Sequence, residues 1–216
     1  MHDEARDLPE DLELPLASGR PWWYWLGGRP ALDLVNSRRE RWRRDVETLT
    51  SPRDLSRWLL DSGVADRELP VTREVLAEAI ALREAIDACA RAVLEDRPVP
   101  AAAVRAIDLR IPFAAPRPRL TVADDGTPRL GERAAADTAR SALGLIALDA
   151  AAMLGDAAQR ARIRVCGAPD CSARFYDRSP AGRRRWCSMR TCGNVAKARR
   201  HRARKRIEPP TARIAP

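Results

Sequence analysis

The chain has 216 residues, a formal net charge of +9 and 45% hydrophobic residues, enough for one medium-sized core and a small appendage. No apolar run approaches the ~18–20 residues of a membrane span, and the charged N-terminus lacks the apolar region of a secretory signal. These properties exclude a membrane-spanning class and predict a protein of the reducing cytoplasm.

The charge is distributed unevenly along the chain. Residues 160–206 contain sixteen lysines and arginines against Asp170 and Asp177, a net charge of +14, whereas residues 1–159 carry −5. A strongly basic end attracts polyanions over about one Debye length, ~8 Å at physiological salt. The asymmetry therefore predicts an acidic body joined to a segment that binds nucleic acid.

The first part of the chain is predicted to lead into a helix. Residues 1–21 are acidic and contain three prolines, which is typical of a loosely ordered lead-in. An aromatic run from Trp22 to Trp25 follows, and residues 30–44 are predicted to form a helix. Ser51-Pro52-Arg53-Asp54 is a stronger helix start, because its serine can cap and its aspartate can complete a capping box.

The following elements are read from apolar spacing and turn residues. A long helix is predicted over 72–96, where apolar side chains recur at spacings of three, four or seven, and another over 101–110. Asp125-Gly126 is typical of the turn of a β-hairpin. The last body helix is expected to open at Gly131-Glu132 and to run to about residue 160.

Together these elements predict an α+β fold in four parts. After the lead-in, residues 22–160 form a mostly α-helical body with one β-hairpin. Residues 161–207 form a small four-cysteine zinc finger, treble-clef or ribbon-like, and 208–216 a tail. No long linker separates finger from body, so the finger is expected to be held rigidly. Cys89 is expected to pack as a small buried group.

Four cysteines form two matched pairs, Cys166-x4-Cys171 and Cys187-x4-Cys192, separated by fifteen residues. Thiolates at this spacing suit one tetrahedral structural Zn2+, and the segment has too few apolar residues to fold without metal. Two disulfides, unpaired thiols and an iron–sulfur or redox site are the alternatives. A catalytic zinc is disfavoured because four protein ligands leave no open position.

Basic residues flank the second cysteine pair. Their planar guanidinium groups suit bidentate contact with phosphate or guanine, and they cover too much of the predicted last helix to be one salt-bridged face. The alternative is a solvated charge run. Trp186 either packs under the cysteine loop or stacks on a base. The predicted nucleic-acid contacts are Arg183, Arg184, Arg185, Lys197, Arg199, Arg200, Arg202, Arg204, Lys205 and Arg206.

The run from Cys166 through Phe175, Arg183-Arg184 and Trp186-Cys187 to Cys192-Gly193-Asn194 resembles the bacterial CGNR zinc-finger family. The arginine of the Cys-Gly-Asn-Arg signature is Val195 here, which weakens any DNA role for that position and leaves the metal ligands intact.

The body resembles the partner domain of that family, the ABATE domain. The matching residues are Gly27-Gly28, Leu32-Asp-Leu-Val-Asn36 and Ser51-Pro52 to Leu59, with Ser37 where the family usually has threonine. The two resemblances together imply a bacterial transcription regulator that responds to stress.

A regulator of this kind would sense a ligand in its body, for which Asp33, Asn36, Arg38 and the Trp22–Trp25 cluster are the pocket candidates. In the simpler interpretation, Asp33 and Asn36 brace local backbone and the tryptophans fill core. A homodimer and an unidentified small-molecule effector are left open.

The leading hypothesis is a zinc-dependent, DNA-binding transcriptional regulator. An RNA-binding or ribosome-associated zinc protein and a protein-interaction module are the alternatives. We expect no enzymatic activity, because no nucleophile–base set, phosphate-binding glycine loop or open metal site is visible.

Overall fold

The computed structural model describes residues 23, 25–114, 118–132, 136–169 and 171–207. The predicted lead-in, Trp22 and the tail lie outside them. None of the described helices is long and apolar enough to cross a membrane. About half of the described residues are helical, and the described strands form three short antiparallel pairs.

The first helix, α1, spans Pro30–Val35, so the predicted helix over 30–44 was too long. Its apolar residues are fully buried, but the following segment, Ser37 to Asp45, offers no apolar helix face to pack. The chain instead forms two short strands, β1 (Arg38–Arg39) and β2 (Val46–Glu47), which pair antiparallel. The body therefore contains one more hairpin than the sequence predicted.

The predicted capping box at the start of helix α2, Pro52–Asp61, is confirmed. The Asp54 N–H donates to the Ser51 hydroxyl over 3.3 Å, and the Ser51 N–H donates to the Asp54 carboxylate over 2.7 Å. Helix α3, Arg73–Leu94, is capped by Thr72, and α4 spans Ala101–Asp108. Cys89 is fully buried on α3, as expected.

The β-hairpin predicted around Asp125-Gly126 is present as β3 (Pro118–Val122) and β4 (Pro128–Glu132). Leu120 pairs directly with Leu130, and both side chains are exposed. Because Glu132 pairs with Pro118, the residues expected to open the next helix belong to a strand instead.

The central helix α5 spans Ala139–Gly155, shorter at both ends than predicted. Thr138 and Ser141 form its capping box, and the extended backbone of Asp156 separates it from the short helix α6, Ala157–Arg160. Gly144 lies against the 3-10 turn Ile111–Ala114, where an added Cβ would come within 2.4 Å of the Ala114 nitrogen. This contact packs the turn directly on α5.

The C-terminal finger begins directly after α6. Strands β5 (Ile163–Val165) and β6 (Arg174–Tyr176) pair antiparallel, with the first cysteine pair in their connection. A π-helical turn, Met189–Gly193, leads into the last helix, α7, Asn194–Ile207. Two strands, two cysteine loops and a terminal helix match the predicted treble-clef or ribbon-like form.

Candidate metal centre and nucleic-acid interface

The first cysteine loop is a tight turn closed by backbone hydrogen bonds. The Cys166 N–H donates to the Ala173 carbonyl over 2.9 Å, and the Cys171 N–H donates to the Ala168 carbonyl over 3.1 Å. The Gly167 N–H donates to the Arg185 carbonyl over 2.8 Å, which ties this loop to the basic segment before the second pair. The backbone thus directs two sulfur atoms towards the same point.

The second pair lies at the start of the terminal helix. Cys187 precedes the π-helical turn, and Cys192 lies within it. Helix α7 begins only at Asn194, after the last ligand. The wider turn brings Cys192 back towards the first loop.

The four cysteine sulfur atoms all lie within 4.8 Å of one another. Cys187 Sγ is 3.8 Å from Cys171 Sγ and 3.7 Å from Cys192 Sγ. A tetrahedral zinc ion with Zn–S bonds of about 2.3 Å places its sulfurs about 3.8 Å apart. The spacing therefore fits one structural Zn2+ with no position left for a substrate.

The four thiols are close enough to alter one another's ionisation. A hydrogen bond with Cys171 lowers the pKa of the Cys166 thiol, whereas hydrogen bonding with Cys166 raises the pKa of Cys187. Four thiolates this close repel one another, and a dication removes that repulsion and allows all four to ionise. The finger's apolar core is small, with Phe175 fully buried among the cysteines, so the metal replaces a larger core.

Asp177 organises the loop that carries the basic residues. Its buried carboxylate accepts from the Ser179 N–H (3.0 Å) and hydroxyl (2.7 Å) and from the Arg184 N–H (2.8 Å). Burial opposes its ionisation, yet these hydrogen bonds hold the pKa of Asp177 below its usual range. Asp177 and Ser179 belong to the run that resembles the CGNR finger, but no structural role was predicted for them from the sequence; their spacing, typical of an Asx turn, was the available signal.

Three exposed arginines, Arg183 to Arg185, follow this turn. Arg184 donates to the Cys187 carbonyl over 2.8 Å and lies over the Phe175 ring, so it also braces the second cysteine loop. The Arg185 guanidinium lies 5.2 Å from the centre of the Trp186 ring, which is half-buried against the finger core.

Helix α7 carries the other predicted nucleic-acid contacts. Lys197, Arg199 and Arg202 are exposed. Arg200, Arg204, Lys205 and Arg206 lie on the same helix, with side chains outside the described part of the structure. The arginine loop, Arg183–Arg185, precedes the second cysteine pair and α7 follows it. The metal centre therefore positions both.

The finger is joined to the body through strand β6. Asn36, at the end of α1, accepts from the Arg174 N–H and donates to the Arg174 carbonyl, both over 2.9 Å, as a neighbouring strand would. The Tyr176 N–H donates to the Gly27 carbonyl over 2.8 Å. The buried Arg174 side chain forms an ion pair with Asp87 on α3 over 2.9 Å.

Two family models match the chain. Residues 28–157 match the ABATE model, described as "Putative stress-induced transcription regulator", and residues 162–205 match the CGNR zinc finger. The chain belongs to the ABATE family. No curated protein matches it. The matched ranges fall inside the body and finger predicted from the sequence, whose exact boundaries stay predictions.

The three pocket candidates of the ABATE region each have separate partners. Asp33 accepts from the Gly27 N–H over 2.7 Å, and burial raises its pKa to about 7. Asn36 binds Arg174, and Arg38 forms a bidentate pair with Asp45. These contacts brace the backbone and the junction, and a ligand pocket built from the three residues stays a prediction.

The tryptophan cluster is packed into the ABATE core. Trp23 donates to the Thr48 hydroxyl over 3.1 Å, and Trp58, fully buried, lies 5.6 Å from Trp25 between ring centres. Trp25 remains partly exposed at the edge of this cluster. Trp22 lies outside the described residues.

Val195, which replaces the signature arginine of the CGNR finger, lies in the first turn of α7 and is 40% exposed. Its side chain is therefore at the surface, where an arginine would also reach solvent. The substitution leaves the four ligands in place.

Proposed function

We propose that the protein is a zinc-dependent transcription regulator that binds duplex DNA through its C-terminal finger. The observation that carries the proposal is the closed four-cysteine centre with exposed arginines fixed around it. Zinc holds the finger together, and the arginine loop and α7 bind phosphates and base edges. The family description supports the regulatory role.

The electrostatics support nucleic acid as the partner. Residues 160–206 carry a net charge of +14, whereas residues 1–159 carry −5, and the finger's Asp177 is buried among its own hydrogen bonds. Four thiolates and one Zn2+ lower the finger's charge by only two, so it remains strongly basic.

Selection of sites from a random pool of DNA duplexes by the zinc-loaded full-length protein tests the proposal. An enriched motif is the expected result, and a repeated half-site would also indicate a homodimer. If all DNA sequences were recovered equally, the protein would bind DNA without sequence specificity. If no DNA were recovered, the proposal would be wrong. A single finger has a small footprint, so two copies or a further contact are needed for specificity.

An RNA-binding role is the alternative, because small basic zinc modules also bind structured RNA. Competition of unlabelled structured RNA against bound duplex DNA separates the two. Tighter binding to RNA would replace the leading proposal.

The proposal places the regulator in the cytoplasm of a bacterium and makes the ABATE region the sensor of a stress-related effector or the dimerisation domain. It assigns no catalytic step to the chain. Sedimentation of the zinc-loaded protein across a salt series tests self-association, and it would also reveal docking of the basic finger on an acidic body.

A further inference from the structure

One exposed aromatic side chain of the ABATE region lies against the finger. Trp42 lies in the loop between β1 and β2, and the residue is 52% exposed. The indole N–H donates to the Pro169 carbonyl, in the first cysteine loop, over 3.2 Å. The Arg174 guanidinium lies 5.5 Å from the centre of the Trp42 ring, which is a second contact between the finger and this tryptophan.

The loop that presents Trp42 is fixed at both ends. Glu40 and Asp45 have φ values of 47° and 55°, a left-handed conformation that non-glycine residues adopt at a cost. Arg38 holds Asp45 through two hydrogen bonds of 2.7 and 2.6 Å, and Arg44 pairs with Glu40. Such over-determined backbone is most often found where a side chain must be held in one orientation.

Trp42 is linked to the arginine loop of the finger, Arg183–Arg185, through the first cysteine loop. Pro169, its hydrogen-bond partner, is two residues from Gly167, whose N–H binds the Arg185 carbonyl. The Trp186 ring lies 3.2 Å from the position of a Gly167 Cβ. The first cysteine loop therefore connects an exposed tryptophan of the body to a tryptophan–arginine pair of the finger.

From this arrangement we infer that the ABATE region supplies a direct contact to nucleic acid through Trp42. The ring packs on sugar or base atoms beside the phosphates bound by Arg183 and Arg185. Aromatic rings make such contacts with little dependence on salt, whereas arginine–phosphate contacts depend on it strongly. The contact enlarges the small footprint of one finger. This inference rests on the proposed function, because it requires that the finger binds DNA.

Binding of a labelled mixed-sequence DNA duplex to zinc-loaded full-length protein, between ~50 and ~200 mM salt, tests the inference. Trp42→Ala should lower affinity by about tenfold without changing the salt slope, the size expected for loss of one stacked aromatic contact. Trp42→Phe removes the hydrogen bond to Pro169 but keeps a ring, and it should stay within about twofold of the unchanged protein. Leu109→Ala, an exposed apolar truncation on the body, is the matched control.

The outcomes separate this contact from a positioning role and from the proposed function. Unchanged affinity of Trp42→Ala would overturn the inference while leaving DNA binding intact. Equal losses for the phenylalanine and alanine variants would make Trp42 a support for the cysteine loop, which also overturns it. Absence of binding by the unchanged protein would overturn both proposals. Zinc content of each variant shows that the finger has folded.

Discussion

At the scale of single residues, the carboxylates Asp177 and Asp33 are both placed by backbone N–H groups but differ in ionisation. Asp177 accepts three hydrogen bonds, which keep it charged. Asp33 accepts one, from Gly27, and burial together with the nearby Asp149 raises its pKa to about 7. At Asp177 the hydrogen bonds lower the pKa more than burial raises it. At Asp33 burial raises the pKa more than the one hydrogen bond lowers it.

Asp33→Asn should make the protein more stable at neutral pH. A folded pKa of about 7, against the ordinary 3.8 of an aspartate, means that the wild type binds a proton on folding, so its stability falls as pH rises from about 4 to 7. Asparagine keeps an acceptor for the Gly27 N–H without the charge. Above pH 7 the free energy of unfolding should increase by on the order of 2–4 kcal/mol, and below about pH 4 the variant and the wild type should be equally stable.

Urea unfolding of zinc-loaded protein at a series of pH values measures this effect. Asp108→Asn, an exposed change on α4, should leave the pH dependence unaltered. If Asp33→Asn follows the same pH curve as the wild type, Asp33 is charged in the folded protein.

A second residue-scale prediction concerns the metal. Cys171→Ser should reduce bound zinc from one equivalent to a small fraction and unfold the finger, since structural zinc contributes on the order of 10 kcal/mol. Elemental analysis after dialysis gives the stoichiometry. Cys89→Ala, which removes the buried body thiol, should retain full zinc; loss of zinc in that variant would show that the assay reports general unfolding.

At the scale of elements, the junction between α1 and β6 joins the body to the finger. Asn36 occupies the place of a neighbouring strand, and the buried Asp87 on α3 forms an ion pair with the buried Arg174 and another with the exposed Arg91 (3.2 Å). Removing one member of such a buried pair leaves an uncompensated charge, which is costly. The finger is thus stabilised by the body as well as by zinc.

Asn36→Ala should destabilise the protein by on the order of 2–3 kcal/mol, because both the N–H and the carbonyl of Arg174 lose their partner. Thermal or urea unfolding followed by circular dichroism measures the loss. Asn36→Asp keeps an acceptor for the N–H but places a carboxylate oxygen against the Arg174 carbonyl, so its loss should be at least as large. A variant as stable as wild type would mean that the two backbone groups find other partners.

At the scale of the whole molecule, the finger and the body each supply groups proposed to meet DNA. The finger presents Arg183 and Arg185, and the body presents Trp42 beside the first cysteine loop. Their contributions are separable, because arginines act through counterion release and an aromatic ring does not. Arg184 is unsuitable as a probe of phosphate contact, since it also braces the Cys187 carbonyl.

The double variant Arg183→Gln/Arg185→Gln should weaken DNA binding and flatten its salt dependence by about 2 in the slope of log K against log salt, since each phosphate contact contributes about 0.9. Fluorescence anisotropy over a salt series gives the slope. Arg53→Gln/Arg105→Gln removes the same charge from exposed positions of the body and should leave the slope nearly unchanged. If both double variants flattened the salt dependence equally, the effect would come from the net charge of the protein and not from phosphate contacts of Arg183 and Arg185.

The sequence by itself determined the zinc ligands, the capped helix at Ser51 and the hairpin at Asp125-Gly126. Each depends on residues close in the chain, whose chemistry and spacing leave few alternatives. The predicted helices at α1 and α5 were both too long, because the local sequence at their ends has only a weak preference for helix. After Asn36 the chain lacks an apolar face for a longer helix, and Glu132 is held in a strand by pairing with Pro118.

Only the tertiary structure decided what Asn36, Arg174 and Trp42 do. Asn36 and Arg174 are 138 residues apart, and Trp42 lies 127 residues before the carbonyl that it binds. Composition and periodicity carry no information about contacts over such separations, because packing of the body against the finger brings these residues together. The same packing joins Asn36 to strand β6 and places Trp42 of the body against the first cysteine loop of the finger.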